Sequence, residues 1–203
     1  MAQVKLKKVR ISFPDLYTAK SFMVGGKPTD PKFGATFLIE PGSENFKLIQ
    51  AAIKEAATEK WKNKAGSIIE GIKDNPNKFC FRNGKTKPDW EGYQGMWFIS
   101  AKNKNAPTVL HKKDGELKPL PEKDGKILSG CYVNAIIEIF AYETGGNGIS
   151  AELNGVMYHS DGANLGGGGR RAKVEEFGDL GDGAQADDFA TEDDANDFFG
   201  DAA

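Results

Sequence analysis

Apolar and polar positions alternate along much of this chain, and a period of two predicts β-strands rather than helices. Residues 4–13 (VKLKKVRISF) and 33–40 (FGATFLIE) read as strands, the second placing Phe33, Ala35, Phe37 and Ile39 on one face. Pro41-Gly42 ends it, and Ser43 is suited to cap a helix over about 44–62. Phe46, Ile49, Ile53, Ala56 and Trp61 roughly follow helical spacing, so one side of that helix docks on a core. Further strands are predicted at 78–82, 94–102, 131–142 and 149–158. Asn83-Gly84 carries a hairpin-turn signal, and Thr144–Gly148 forms a turn between the last two long strands. The segment 103–128, rich in Lys, Pro, Asp and Gly, reads as a long mobile excursion with at most a short strand at 108–111.

Five to seven strands and one main helix predict a mainly β fold, an OB-fold-like barrel, five-stranded or elaborated. A sandwich is the alternative, which periodicity alone does not separate. The expected organisation is a domain over 1–165, a Gly-rich basic linker over 166–173 and a disordered acidic tail over 174–203. The tail has too little apolar surface to offset the entropy of ordering.

Charge is divided sharply between these parts. Residues 1–173 hold all 27 Lys and Arg against 18 acids, a net +9; residues 174–203 hold 11 acids and no Lys or Arg. A basic body suits a polyanion, and an acidic tail suits a basic partner or the body's own basic groove. The tail also carries Phe177, Phe189, Phe198 and Phe199 among its acids.

The strand at 131–142 shows what kind of polyanion. Cys131, Val133, Ala135, Ile137, Ile139 and Ala141 form an apolar core face. The opposite face carries Tyr132, Phe140 and Tyr142 beside Asn134, Ile136 and Glu138. On 94–102, Trp97 belongs to the core side, whereas Phe98 and Lys102 share the other. Bases stack on such rings, and Trp90 and Tyr93 in the preceding loop join the candidates. The cations interleaved with them are Lys5, Lys7 and Arg10 on the first strand, Arg82, Lys85 and Lys87, and then Lys102, Lys104, Lys112 and Lys113. Cations that track phosphate beside rings that accept any base are the requirements of a sequence-tolerant single-strand groove. The competing reading is a second small core for Phe140 and a solvated surface for about half of these lysines.

Other chemistries find little support. The two histidines, His111 and His159, belong to no metal-spaced cluster, and no GxSxG element is present. Neither a catalytic site, a cofactor nor a metal is expected. Cys80 and Cys131 lie far apart and read as buried thiols in a reducing setting. With no signal-peptide pattern and no membrane-length apolar run, a cytoplasmic protein is expected.

The segments VRISFPDLY (9–17), FGATFLIEPGS (33–43), GYQGMWFISAKNKNAPTV (92–109), SGCYVNAIIEIFAYETGGNGISAELNGVMY (129–158) and DGANLGGGG (161–169) together resemble bacteriophage-encoded single-stranded DNA-binding proteins with an OB-fold. The resemblance spans most of residues 4–169. It implies non-enzymatic, cooperative coating of single-stranded DNA in phage replication, recombination or repair, within the host cytoplasm. It also implies a tail that docks replication or recombination proteins, here through Phe189, Phe198 and Phe199. Such tails commonly end on phenylalanine, whereas here Gly200-Asp201-Ala202-Ala203 follows. The rival functions are an RNA-binding module, a protein-interaction or DNA-mimic module acting through the tail, and a nuclease or other DNA-processing enzyme, against which the lack of a recognisable metal cluster counts.

Overall fold

The computed structural model describes residues 1–21, 23–24 and 26–165; the linker expected at 166–173 and the tail expected at 174–203 lie outside the described residues. The described residues form ten strands: β1 (Ala2–Lys20), β2 (Met23–Val24), β3 (Lys27–Pro28), β4 (Lys32–Ile39), β5 (Phe81–Asn83), β6 (Trp97–Asn103), β7 (Thr108–Lys113), β8 (Glu116–Pro119), β9 (Tyr132–Tyr142) and β10 (Gly148–Ser160). Two helices, α1 (Glu44–Trp61) and α2 (Ala65–Ile72), lie between β4 and β5.

The long first strand organises the rest. Its apolar phase first jumps after Leu6: Ala2, Val4 and Leu6 are buried, and then Val9 and Ile11. Keeping both sets on the core face requires one extra residue between them. The ladder slips there, and Lys8 takes up a left-handed φ of 48°. A second slip falls between Ser12 and Asp15, where Phe13 has a φ of 50°. The N-terminal half of β1 pairs antiparallel with β9, from Ala2↔Ile139 to Arg10↔Tyr132. Its C-terminal half pairs with β4, from Arg10↔Leu38 to Lys20↔Lys32.

From β4 the ladder continues through β6 to β5. The chain just before β5 then closes the ring. Ile149 N–H donates to the Lys78 carbonyl at 2.7 Å, Cys80 N–H to the Ile149 carbonyl at 3.1 Å, and Ser100 N–H to the Cys80 carbonyl at 3.1 Å. With β10 paired to β9, the circuit β1-β4-β6-β5-β10-β9 is a closed barrel, the expected OB-fold-like architecture.

Helix α1 begins where its cap predicts, Ser43 Oγ accepting from Phe46 N–H at 3.2 Å. It buries Ile49, Ala52, Ile53, Ala56, Ala57 and Trp61 against the barrel interior. Each fully buried side chain of Ile or Phe size contributes roughly 1.5–3 kcal/mol. Cys131 is buried as expected, whereas Cys80 is only half-buried, with desolvation pushing its thiol up to about 12.

Three expectations are corrected. A second helix, α2, follows α1; its Ile68, Ile69 and Ile72 pack at the core's margin. Asn83-Gly84 is not a hairpin turn. Asn83 Oδ1 instead accepts from Lys85 N–H at 2.9 Å, and Gly84 is needed because a Cβ there would lie 1.9 Å from the Tyr93 carbonyl. Finally, 103–128 is more built than expected: the short strand anticipated at 108–111 is β7, which runs parallel to β10, and β8 returns through a two-residue turn. In that turn Asp114 and Gly115 both have positive φ, 54° and 84°, the turn whose twist suits a hairpin. No helix among the described residues is long and apolar enough to cross a membrane.

Candidate functional site

The outer faces of β4, β5 and β6 form the floor of a long cleft made of two adjoining hollows, of about 790 and 660 Å³. Lys32, Arg82, Ser100 and Lys102 line both, so the hollows adjoin along these four residues. Gly34 lies in the floor, and a Cβ there would come within 3.1 Å of the Ala101 carbonyl oxygen and of Lys102 Cγ; its absence keeps the floor open.

One end is walled by the ends of β9 and β10. Phe140 and Tyr142 stand there, half-buried, ring centroids 6.4 Å apart. Tyr142 is fixed on several sides. Its hydroxyl donates to the Asn77 carbonyl at 3.3 Å, Lys78 Nζ lies 5.9 Å from its ring centre, and any side chain on Gly148 would strike the ring. The other end is walled by the β1 bulge and the loop after β5. Phe13 and Trp90 meet there with centroids 4.8 Å apart at 60°, and Lys87 Nζ sits 4.2 Å from the Trp90 ring centre.

The middle is cationic. Burial lowers the Lys102 ammonium below the ordinary lysine range, and the nearby Lys32 charge pushes it the same way, against a smaller opposing pull from Asp15. Arg82 stacks its guanidinium 4.8 Å from the centre of the Phe98 ring. Burial lowers its pKa too, and its Nε is a buried donor with no acceptor among the described residues. Lys104 pairs with Asp30 at 3.2 Å, both exposed enough to exchange partners readily, and Lys20 pairs at 2.5 Å with Asp15, whose side chain is largely buried.

Of the residues singled out in the sequence, Arg82, Lys87, Trp90, Lys102, Lys104, Phe140 and Tyr142 come together along this cleft. Phe98 and Tyr93 require a correction, since each is 1% exposed. They form a small separate core with Leu38 and Leu165, which Met96 flanks, so their faces are already covered. Phe98 lies beneath the cleft and supports Arg82 without offering its own face to a base. Arg10 is also occupied, donating from Nη2 to the Ala163 carbonyl at 2.6 Å and from Nε to the Gly130 carbonyl at 3.4 Å.

Tyr132 lies on the anticipated face of β9, but at the strand's opposite end. Ten residues separate it from Tyr142, up to about 33 Å along the strand. Lys5, Lys7, Lys85, Lys112 and Lys113 are exposed and line neither hollow. The tail residues Phe177, Phe189, Phe198 and Phe199 lie outside the described residues. Conversely, Phe13, Lys20 and Lys32 belong to the cleft and were missed. Two signals pointed to the first: an aromatic residue beside a proline at a strand's irregular end, and the second break in β1's alternation.

The family described as "Enterobacter phage Enc34, ssDNA-binding protein" matches residues 2–198 of this chain. A curated relative, the putative protein p50 of Acyrthosiphon pisum secondary endosymbiont phage 1, is 42% identical over 180 residues, covering 88% of this chain and 94% of that one. Among solved structures, the single-stranded DNA-binding protein from bacteriophage Enc34 in complex with ssDNA superposes with a TM-score of 0.64 at 26% identity, over 81% of this chain and 89% of that one. A C-terminal truncation of the same phage protein gives a TM-score of 0.61 at 27% identity, over 80% and 88%. A match over nearly the whole chain, joined to a closed barrel that carries this cleft, shows that the protein belongs to the Enc34-type family of phage single-stranded DNA-binding proteins.

Proposed function

We propose that the chain binds single-stranded DNA in the cleft between the Phe140–Tyr142 and Phe13–Trp90 ends, without reading its sequence. The observation that carries this reading is a pair of adjoining hollows with aromatic rings at both outer ends and Lys32, Arg82 and Lys102 shared between them. Phosphates relieve the crowding of Lys32 against Lys102 and pair with the Arg82 guanidinium, while bases stack on the rings. That the related Enc34 protein has been solved in complex with ssDNA supports single-stranded DNA as the ligand.

Binding of this kind serves the coating of exposed strands in phage replication, recombination or repair, with neighbouring copies associating on the strand. The acidic tail has two roles in this proposal. Its carboxylates compete with phosphates for the cleft, and its phenylalanines dock replication or recombination proteins when DNA displaces it.

The test is a titration of labelled oligo-dT, the matching duplex and oligo-U across a salt series. Single strands should bind more tightly than duplex. Five or so phosphate contacts should give a slope of log K against log salt near −3.5, at about −0.7 per phosphate. Equal affinity for single and double strands would leave only non-specific charge attraction. Preference for oligo-U would move the function to RNA.

A further inference from the structure

We propose that Phe13 is the base-stacking residue at one end of the cleft, and that the left-handed bulge of β1 serves to present its ring. The proposal deepens the single-strand reading above and rests on it. The ligand is an unstacked nucleobase, and because stacking uses the ring face alone, any base qualifies.

Phe13 is the largest apolar side chain on β1, yet it is 47% exposed, while Ile11 and Leu16 on either side of it are 0% and 2% exposed. Its backbone lies in the left-handed region, unfavourable for any residue with a Cβ and favourable for glycine. The bulge itself does not call for an aromatic ring. The earlier bulge of the same strand has nearly the same φ and carries an exposed lysine, Lys8. An outward phenylalanine held on strained backbone is therefore unexplained by packing, and strain of this kind collects at functional positions.

The surroundings say why Phe13, rather than Trp90, receives the base. Trp90 is already hemmed in: Lys87 Nζ lies 4.2 Å from its ring centre, Tyr93 packs edge-on at 5.2 Å and Phe13 at 4.8 Å. Phe13 has Trp90 as its one ring partner among the described residues. Trp90 thus backs the Phe13 ring, and Phe13 keeps the more accessible face. The same hollow is lined by Lys20, Lys32, Lys87 and Lys102, so a base stacked on Phe13 carries its phosphates among four ammonium groups.

The discriminating substitution is Phe13→Gly, which removes the ring and relieves the backbone together. A ring that served packing would lower the melting temperature when lost. A ring that serves stacking leaves the melting temperature unchanged or higher, while affinity for oligo-dT falls roughly 5- to 150-fold. Phe13→Tyr keeps an aromatic face and should restore affinity to within about threefold of wild type. Phe13→Leu keeps apolar bulk without the ring and should not. Wild-type affinity in Phe13→Gly, or a loss of stability in parallel with affinity, overturns the stacking role while single-strand binding by the parent stands. A parent chain that fails to bind oligo-dT overturns this role and the proposed function together.

Discussion

Replacing Phe98 by Ala tests the most consequential difference between sequence and structure. Alternation places Phe98 on the outward face of β6 with Lys102, which would make its loss a binding defect. The structure instead buries it, 1% exposed, with Tyr93 5.2 Å away and the Arg82 guanidinium 4.8 Å from the ring centre. A Phe→Ala truncation in such a site costs about 3–5 kcal/mol, from lost transfer energy and the hole left behind. At about 2–4 °C per kcal/mol for a domain of this size, the melting temperature should fall by roughly 6–20 °C. Phe140→Ala is the matched control. Its ring is half-buried on the cleft wall, so affinity for oligo-dT should drop by about 1–3 kcal/mol with a melting change of only a few degrees. Urea or thermal unfolding followed by circular dichroism, with anisotropy of a labelled oligonucleotide well below the melting range, reads both. If Phe98→Ala melts within about 2 °C of wild type and selectively loses DNA affinity, the small core is not a core and Phe98 is a stacking residue after all.

Lys102→Met removes a charge held below its ordinary pKa mainly by burial and then by Lys32, so it should raise thermal stability while weakening single-strand binding and flattening the salt slope by about 0.7. The sign follows from proton linkage. As pH rises through the depressed folded pKa toward the unfolded value of 10.5, the unfolded chain holds a proton the folded chain has released, so stability lost to this group is regained and affinity for DNA falls. A Lys102→Met variant with wild-type salt slope would remove that residue from the phosphate path. Trp90→Phe should abolish most of the intrinsic fluorescence change on adding oligo-dT, because Trp61 is 6% exposed and Trp97 lies against Phe46 and Phe81; a change that persists points to Trp97. Tyr132→Ala should bind short oligonucleotides like wild type, since Tyr132 lies outside the cleft, and an equal loss in Tyr132→Ala and Tyr142→Ala would contradict the path drawn here. A chain ending at Lys173 should bind more tightly than the full chain at low salt, with the gap closing as salt screens the acidic tail; tighter binding by the full chain at every salt concentration would end the idea of self-competition.

How much of this was legible beforehand depended on whether the signal was local. The two faces of β9 could be read because one face is uniformly apolar over five alternate positions, from Val133 to Ala141, and the structure keeps that division. The Ser43 cap and the docking side of α1 were local in the same way. Alternation says which face a residue shares, however, and not whether that face is covered. Phe98 is covered by Leu38, Tyr93 and Leu165, the last of which comes from far later in the chain. Closure of the barrel through Lys78, Cys80 and Ile149 is likewise a non-local event with no motif of its own. The Asp114-Gly115 turn was a local signal, obscured by the Lys- and Pro-rich composition around it. Phe13 was hidden by treating 4–13 as one regular strand, when the phase jump after Leu6 already showed that β1 is not regular.

The division of β1 between two partners sets an order of events as the chain is made. Its C-terminal half meets β4 within a few dozen residues. Its N-terminal half must wait for β9, and Ala2 and Ile139 are 137 residues apart. At about 5–20 residues per second of synthesis, that half remains without its partner for roughly 7–30 s. During the wait it is an open edge of alternating apolar residues, the kind of segment that recruits other strands. Lys5, Lys7 and Lys8 stand along that edge, exposed and remote from the cleft in the finished barrel. Like charges set along an open strand edge disfavour its pairing with a second copy of itself, a common way for natural proteins to guard such edges.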